Sequence, residues 1–242
     1  MQNAALAALG LADWTYQRLP VPPELFDETV RGLPGSGFAG ANVTIPHKEA
    51  ALALATEATS EARAIGAANT LTFDESGAIH AGNTDGAALL QIVPEGGRAL
   101  VLGAGGSARA AVWALKQAGA EVTIWNRTPE RAVALAEELG AWPWTADQPT
   151  DTLVNCTAVG LGEADDPFTE LPMTPELLER AQLVVDLAYG AHETGLVRAA
   201  RAAGVETFDG AEILVRQGAL SLAHWTGREA PLDVMRAAVA AR

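Results

Sequence analysis

The sequence predicts an α/β protein of two domains, a smaller N-terminal α/β domain and a Rossmann-type domain with a parallel sheet. From Arg98 onward, short runs of consecutive apolar residues, typical of strands buried on both faces, alternate with helical stretches. Upstream of residues 84–98 the pattern is different, and the chain becomes helical again over 211–226 and 231–241. The fold class follows from these two observations.

The change of pattern sets the expected domain boundaries. Residues 1–84, completed by the C-terminal residues 210–242, are expected to form one domain. Residues 85–209 are expected to form the Rossmann-type domain.

The elements of the N-terminal domain are predicted from hydrophobic pattern, β-branched residues and turn-forming residues. Strands are expected at 14–21, 37–45, 67–73 and 77–83. Helices are expected at 3–11, 23–31, 48–65 with a break at Thr59 and Ser60, and from Asp85 to about Ile92.

The elements of the Rossmann domain are predicted in the same way. Strands are expected at 98–103, 121–126, 152–157, 182–189 and 204–210, with helices between most of them, including 107–118 and 129–139. Strands that alternate with helices predict a parallel sheet with right-handed crossovers.

The composition excludes several kinds of partner. A formal net charge of −14 repels phosphate backbones, so we expect no nucleic-acid partner. No apolar run reaches the roughly 18 residues of a membrane span, and the N-terminus lacks the basic region of a signal peptide. The one cysteine, Cys156, excludes an internal disulfide and indicates a cytoplasmic protein. His80, His192 and His224 lack metal-ligand spacing, so no metal site is expected.

A glycine-rich turn connects the first apolar strand of the Rossmann domain to a helix. The stretch "LVLGAGGSARAAVWAL" places Gly103, Gly105 and Gly106 at this turn, and Ala108 where the dinucleotide fingerprint allows glycine or alanine. Backbone N–H groups of such a turn can approach a pyrophosphate at the helix N-terminus. A tight turn without ligand is the alternative, and the strand–turn–helix context favours dinucleotide binding.

The next strand indicates which dinucleotide binds. An NAD site has an acidic residue about 20 positions after the glycine turn, on the ribose 2′-hydroxyl. Here the strand ends in Asn126, Arg127 and Thr128, with Arg131 one helical turn later. An arginine with neighbouring donors suits a 2′-phosphate, so the sequence favours NADP over NAD.

Polar residues of types that often act in catalysis or substrate binding occur in the N-terminal and C-terminal segments of the chain. Lys48 follows the strand "NVTIP", Asn69 begins another, Asp85 belongs to "GNTDG", and Gln217 lies on a C-terminal helix. A lysine can give or hold the proton that ketone reduction requires, and a carboxylate can orient the lysine and a substrate hydroxyl. Each of these residues alone is more often a surface residue than a catalyst.

The chain resembles the shikimate dehydrogenases through nearly its whole length. The motifs that carry the resemblance occur in that family's order and spacing: "GANVTIPHKEAA", "IGAANTL", "GNTDG", "VLGAGGSARA", "NRTPERA", "VNCTAVGL", "VDLAY" and "DGAEILVRQGALSLAHWTG". The resemblance implies NADPH-dependent reduction of 3-dehydroshikimate to shikimate, in chorismate and aromatic amino acid biosynthesis. It also implies a monomer or a homodimer. Residues 1–84 with 210–242 would then be the substrate-binding and catalytic domain, and residues 85–209 the NADP-binding domain.

The resemblance implies a role for each matching residue. Lys48 would be the acid–base group and Asp85 its partner, and both would contact the substrate. The remaining substrate-binding residues would be Thr44, Asn69, Tyr189 and Gln217. The cofactor-binding residues would be Gly103, Ala104, Gly105, Gly106, Ser107, Ala108, Asn126, Arg127, Thr128, Arg131, Thr157, Leu187 and Gly210. The segment from Gly103 to Arg109 would hold the pyrophosphate.

The sequence departs from the family at its beginning. Family members normally start with a strand and a loop whose two serines bind the substrate carboxylate, and here Met1 falls on a methionine after that loop. A start site placed too late and a genuine short form with an altered site both remain open. Two further alternatives follow: a quinate/shikimate-type enzyme of other specificity, or a homologue that binds NADP without turnover.

Overall fold

The computed structural model describes residues 1–146, 148–161, 166–190 and 192–241. The chain divides into two compact units, which we call the first unit (Met1–Ala88 with Leu214–Arg242) and the second unit (Leu89–Ile213). The predicted limits at residues 84 and 210 lie nearby. The assignment of substrate to the first unit and of NADP to the second stays a prediction.

Helices and strands of the described residues are numbered in chain order. The helices are α1 (Gln2–Ala8), α2 (Phe26–Gly32), α3 (Lys48–Leu54), α4 (Ser60–Ile65), α5 (Thr84–Leu90), α6 (Gly106–Gln117), α7 (Pro129–Leu139), α8 (Pro167–Glu170), α9 (Pro175–Arg180), α10 (Gly195–Ala202), α11 (Gly210–Thr226) and α12 (Leu232–Ala240). The strands are β1 (Gly40–Asn42), β2 (Glu57–Ala58), β3 (Thr70–Phe73), β4 (Ile79–Gly82), β5 (Arg98–Leu102), β6 (Glu121–Trp125), β7 (Trp142–Pro143), β8 (Thr152–Asn155), β9 (Leu183–Asp186) and β10 (Glu206–Phe208). Short 3₁₀ turns cover Pro23–Leu25 and Pro34–Ser36. None of the helices so described combines the length and the apolar character that a membrane crossing requires.

The first unit contains a four-stranded sheet in the order β1-β3-β4-β2. Strand β3 pairs antiparallel with β1 and β4, and β2 pairs parallel with β4. Apolar side chains of the sheet, such as Leu71 and Ile79, pack with Phe26, Val30 and Leu54 from the helices into a core. Because hydrophobic burial is the main favourable contribution to folding, this core fixes the strand ends that carry the polar residues.

Strand β1 has one unpaired edge. The backbone N–H of Val43 donates to Asn69 O and that of Phe73 donates to Ala39 O, so alternate residues of the β1 segment face β3. Gly40 and Asn42 therefore turn their backbone N–H and C=O groups to the other edge. No described strand pairs with that edge.

Two strand predictions for the first unit are wrong: one predicted strand is absent and the other is shorter than predicted. Residues 14–21 form no strand, because Asn3, and not a neighbouring strand, bonds both backbone groups of Tyr16, at 2.7 and 2.9 Å. The strand predicted at 37–45 shrinks to Gly40–Asn42. The predicted helix 48–65 ends early, at Leu54, and the two-residue strand β2 precedes the predicted break. Thr59 of that break caps α4, and Ser60 is the first residue of α4.

The second unit is the predicted Rossmann-type sheet. Six parallel strands lie in the order β10-β9-β8-β5-β6-β7, so their carboxyl ends meet at one edge. The central strands are fully buried, as their continuous apolar runs predicted; Leu100, Leu153 and Val184 are 0% exposed. Strand β7 was not predicted, because both of its residues are exposed and one is proline.

Candidate active site

Lys48 and Asp85, predicted as a pair, are in contact in the first unit. Lys48 Nζ donates to Asp85 Oδ2 at 2.8 Å. The two side chains are only 12% and 11% exposed. Two charges that are largely removed from water compensate each other, so loss of either leaves the other without its partner.

The residues around Lys48 fix its position at the start of α3. The ring of His47 stacks on Phe26 at 4.4 Å, and its Nε2 donates to Val21 O at 2.9 Å. The carbonyl of Lys48 accepts from Ala68 N at 2.8 Å. The backbone from which the lysine side chain extends is thus held from both sides.

Asp85 is positioned by the residue that caps its helix. Asn83 Oδ1 accepts from the backbone N–H of Gly86 at 3.0 Å, which is the bond of an N-cap asparagine. Asn83 Nδ2 donates to Ala67 O at 2.9 Å and ties this cap to the segment before β3. Asp85 lies in the first turn of α5, where a negative charge is favourable at the helix N-terminus.

Asn69 and Gln217, both predicted substrate-binding residues, are also brought together. Asn69 Nδ2 lies 3.4 Å from Gln217 Oε1. Asn69 is 2% exposed, and its Oδ1 accepts from Thr84 N at 2.7 Å. Thr44 is exposed, and its described hydrogen bond is that of its carbonyl with His47 N at 2.9 Å.

The sequence analysis missed the buried polar residues behind this pair, Asn42 and Ser221. Ser221 is 0% exposed, and its Oγ accepts from Asn42 Nδ2 at 2.8 Å. Ser221 follows Gln217 by four residues on α11, which places both on one helix face. The four-residue spacing could have indicated Ser221 as a neighbour of Gln217, whereas no local sequence pattern indicated that Asn42 belongs to this cluster.

The glycine turn of the second unit has the form that a phosphate site requires. Gly103 has φ +112°, and a Cβ there would lie 3.1 Å from Cys156 O, so only glycine fits. A Cβ on Gly105 would meet no atom within 4 Å, so the start of α6 faces open space. The first turn of a helix leaves backbone N–H groups without intrahelical acceptors, and these can bind an anion. The sequence-predicted residues from Gly103 to Ala108 therefore fit a pyrophosphate.

The end of β6 lacks the carboxylate of an NAD site. Asn126 Nδ2 donates to Thr128 O at 2.9 Å and shapes the turn into α7. Arg127 and Arg131 are exposed, and neither makes an ion pair within the parts of the chain that the structure describes. Two guanidinium groups at this position fit an adenosine 2′-phosphate better than a 2′-hydroxyl.

Arg109 is engaged elsewhere. Its Nη1 and Nη2 each lie 2.7 Å from the Glu138 carboxylate, a two-point contact between α6 and α7. The hydrogen bond from Arg109 holds the pKa of Glu138 below its usual range. Both terminal nitrogens of Arg109 are thus engaged by Glu138.

The remaining predicted cofactor residues follow the carboxyl ends of β8, β9 and β10. Thr157 donates to Asn155 Oδ1 from its N at 3.0 Å and from its Oγ1 at 2.7 Å, and Leu187 N donates to Asn155 O at 2.9 Å. A Cβ on Gly210 would lie 2.8 Å from Leu187 O, so α11 begins against this loop. Tyr189 is 51% exposed on the same loop.

Asp186 organises these two loops and was not predicted. Its carboxylate is 0% exposed and accepts from Asn155 Nδ2 at 2.8 Å, Ala188 N at 3.0 Å and Thr194 Oγ1 at 2.6 Å. Because Asn155 in turn holds Thr157, one buried carboxylate links the loops after β8 and β9.

A parallel sheet with a glycine turn after its central strand, together with a lysine–carboxylate pair in the other unit, defines the class of nicotinamide-dependent dehydrogenases. Three family models match: "Shikimate dehydrogenase substrate binding domain" over residues 1–71, "Shikimate / quinate 5-dehydrogenase" over 89–158, and "Shikimate 5'-dehydrogenase C-terminal domain" over 210–240. The chain belongs to the shikimate dehydrogenase family.

Curated relatives and solved structures agree with this membership. The chain is 46% identical to a shikimate dehydrogenase (NADP(+)) of Anaeromyxobacter sp. (strain Fw109-5), over 100% of this chain and 90% of the relative. It is 42% identical to the shikimate dehydrogenase (NADP(+)) of Methanocella arvoryzae, over 97% of this chain and 90% of that relative. A crystal structure of shikimate 5-dehydrogenase from Thermus thermophilus in complex with NADP(H) and shikimate is similar with a TM-score of 0.89 and 39% identity, over 99% of this chain and 92% of that one.

Proposed function

We propose that this chain is an NADP-dependent shikimate dehydrogenase that reversibly reduces 3-dehydroshikimate to shikimate, in chorismate and aromatic amino acid biosynthesis. The observation that carries the proposal is the contact of Lys48 Nζ with Asp85 Oδ2 at 2.8 Å. This pair is not needed to hold a dinucleotide. It is the proton donor and acceptor that a carbonyl–alcohol interconversion requires.

Lys48 acts as the acid in the reducing direction. When bound, NADPH supplies the hydride to the carbonyl carbon. The Lys48 ammonium donates one N–H proton to the oxygen that becomes negative, and the resulting amine is reprotonated from solvent. Asp85 orients Nζ toward that oxygen. In the oxidising direction the neutral Lys48 amine accepts the proton of the alcohol.

The amides of Asn69 and Gln217 are proposed to bind substrate hydroxyl or carboxylate groups. Support comes from their proximity, at 3.4 Å, and from their position in the same unit as the Lys48–Asp85 pair. Thr44 and Tyr189 are proposed as further substrate contacts because both are exposed.

The second unit is proposed to hold NADP through residues that share the carboxyl edge of its sheet. Backbone N–H groups bind the pyrophosphate, arginines bind the 2′-phosphate, and the loops after β8 and β9 line the nicotinamide side. The proposed residues are Gly103, Ala104, Gly105, Gly106, Ser107, Ala108, Asn126, Arg127, Thr128, Arg131, Thr157, Leu187 and Gly210.

We further propose that the protein works in the cytoplasm as a monomer or a homodimer. One cysteine and an acidic composition support this environment. Gel filtration with light scattering would distinguish a mass near 25.1 kDa from twice that value.

The test is NADPH oxidation with 3-dehydroshikimate by the 242-residue chain and by Lys48→Met, with Lys116→Met as the matched control. Lys116 Nζ bonds only carbonyls in the described structure, at 2.7 and 2.6 Å, and lies in the second unit. We expect kcat to fall by about 10²–10⁴-fold in Lys48→Met alone. A wild-type chain that binds NADPH but does not react would contradict the proposal and favour a cofactor-binding homologue.

Quinate is a second candidate substrate. The family model that matches residues 89–158 covers shikimate and quinate enzymes together. The reverse assay with NADP⁺ and either shikimate or quinate decides between them. A larger kcat/KM for quinate would replace the substrate named above.

A further inference from the structure

Behind Asn69 and Gln217, the first unit contains a layer of hydroxyl groups that the proposed reaction does not use. Thr70 Oγ1 lies 2.9 Å from Ser221 Oγ and 3.1 Å from Thr84 Oγ1, and the latter two hydroxyls are 3.1 Å apart. Ser221 is 0% and Thr70 2% exposed. Because each buried hydroxyl has one hydrogen to donate, the fixed donors and acceptors around the layer determine the direction of its bonds.

The bonds around Asn69 fix the orientation of its amide. The backbone N–H of Thr84 donates to Asn69 Oδ1 at 2.7 Å, so this atom is the oxygen. Asn69 Nδ2 donates to Thr84 Oγ1 at 3.0 Å, and Thr70 Oγ1 donates to Asn69 Oδ1 at 3.0 Å. The hydroxyl of Thr84 can donate either to Thr70 Oγ1 or to Asn69 Oδ1, both at 3.1 Å. In either case the hydroxyl hydrogen has an acceptor, and the bonds close into a ring on the Asn69 amide.

A second chain of bonds ends on the helix that carries Gln217. Asn42 accepts from Tyr16 Oη at 3.1 Å and donates from Nδ2 to Ser221 Oγ at 2.8 Å. Ser221 Oγ donates to the backbone oxygen of Gln217 at 3.0 Å. The single hydrogen of Ser221 is thereby directed to the backbone of α11, and its oxygen accepts from Asn42 Nδ2.

The amide of Gln217 is fixed in the same sense. Its Nε2 donates to Leu214 O at 3.0 Å, so the atom that faces Asn69 Nδ2 is the oxygen. One amide N–H of Asn69 donates to Thr84 Oγ1, and the second lies 3.4 Å from Gln217 Oε1, which is a long hydrogen bond. One amide N–H of Gln217 donates to Leu214 O, and its second N–H has no described acceptor. Both amides therefore offer donors.

We propose that Thr70 is a positioning residue for the amide of Asn69, through its bond to Asn69 Oδ1. Ser221 is a positioning residue for Gln217 through the backbone oxygen of that residue. Both amides then keep N–H groups toward the ligand, and the site selects oxygen acceptors. The inference rests on the proposed function, because it takes shikimate as the ligand. Without the Thr70 hydroxyl, the Asn69 amide oxygen loses one of its donors. The amide is then freer to rotate and present its carbonyl, which cannot bind a carboxylate or an accepting hydroxyl oxygen.

The test compares Thr70→Val with Thr72→Val on the same strand. Thr72 carries the same side chain two residues along β3, and its hydroxyl makes no hydrogen bond within the described residues. Calorimetric titration of shikimate into the NADPH complex measures binding without turnover, because both molecules are in the reduced state. We expect about five- to tenfold weaker binding for Thr70→Val, the loss of about one hydrogen bond, and less than about a twofold change for Thr72→Val.

Three further measurements separate positioning from a structural role. Thr70→Ser keeps the hydroxyl and is expected to restore wild-type affinity. The KM for shikimate is expected to rise with the Kd, while the KM for NADP⁺ stays constant. Ser221→Ala, which lies on α11, is also expected to raise the KM for shikimate without changing the KM for NADP⁺. This variant tests the positioning role if Thr70→Val does not fold.

The outcomes distinguish this inference from the proposed function. If the wild-type chain turns over shikimate and both Thr70→Val and Ser221→Ala bind it as tightly as Thr72→Val does, the positioning role is wrong and the enzyme assignment stands. If the wild-type chain neither binds nor oxidises shikimate, both are wrong. An equal rise of the KM values for shikimate and NADP⁺ also overturns the positioning role.

Discussion

The two units hold their functional groups in different ways. In the first unit, the candidate functional groups are side chains at strand and helix ends, and neutral hydroxyls and amides such as Thr70, Ser221 and Asn42 are hydrogen-bonded to one another behind Asn69. In the second unit, the candidate ligand groups are largely backbone N–H groups and loops, and one buried carboxylate, Asp186, fixes the loops. A site made of side chains needs control of side-chain torsions, whereas a site made of backbone needs control of loop geometry.

The largest expected effect concerns the charged pair of the first unit. Asp85→Asn keeps the shape of the side chain but removes the charge that orients Lys48 Nζ, so kcat is expected to fall by about 10²-fold or more. Steady-state NADPH oxidation measures it. Asp233→Asn, with a side chain 98% exposed in the same unit, is the control and should retain full activity.

The second prediction concerns the carboxylate of the second unit. Asp186→Ala leaves the buried donors of Asn155, Ala188 and Thr194 without their acceptor, so the free energy of unfolding should fall by about 3 kcal/mol. Urea unfolding followed by circular dichroism measures this. Asp186→Asn retains one acceptor oxygen and should lose less. Equal midpoints for Asp186→Ala and wild type would show that the loops do not depend on this residue.

Two glycines of the same turn should respond differently to alanine. Gly103→Ala forces a side chain into φ +112° beside Cys156 O and should destabilise the fold by about 1–3 kcal/mol. Gly105→Ala meets no atom within 4 Å, so stability should change by less than about 0.5 kcal/mol. Its Cβ would instead occupy the space of a phosphate, and the Kd for NADPH should rise about tenfold. Thermal unfolding measures the loss of stability, and fluorescence titration measures the Kd for NADPH. If both variants lost stability and NADPH affinity to the same extent, the proposed phosphate site at this turn would be contradicted.

The smallest expected effect is a pH dependence at the β3–β4 turn. Hydrogen bonds from His80, Ser76 and the Ala78 backbone hold the pKa of Asp74 well below its usual range. A lowered folded-state pKa contributes stability above the unfolded pKa, and the contribution is lost as pH falls through the folded one.

Asp74→Asn should therefore be less stable than wild type near pH 7, and the difference in Tm should shrink as pH falls below about 4. Asp13→Asn serves as the control, because its side chain makes no hydrogen bond within the described part of the chain. A constant difference in Tm between pH 7 and pH 3 would show that Asp74 does not carry this dependence.

The sequence predicted the second unit better than the first, for a physical reason. Strands buried on both faces require continuous apolar runs, so β5, β8 and β9 were visible in the sequence. Residues 14–21 had a strand-like composition, but a strand also needs a neighbour, and Asn3 took the backbone bonds of Tyr16. Strand pairing depends on the whole fold and is only weakly encoded in a local segment.

The candidate site shows the same limit. Lys48 and Asp85 belong to short motifs that could be recognised one at a time, and they do meet in the structure. Asn42 and Ser221 are separated by 179 residues and become neighbours only when β1 packs beside α11. No local pattern encodes such a contact, so the hydrogen-bonded residues behind the predicted substrate-binding residues Asn69 and Gln217 could not be derived from the sequence.

The unpaired edge of β1 has a consequence for solvent exchange. The amide of Ala41 bonds within the sheet, whereas those of Gly40 and Asn42 face the edge that no described strand covers. Deuterium should therefore replace the amide hydrogens of this short strand in alternation, slowly at residue 41 and quickly at residues 40 and 42. The pattern would mark a half-protected strand, whose inner row of hydrogens reports the stability of the sheet while its outer row behaves like a loop.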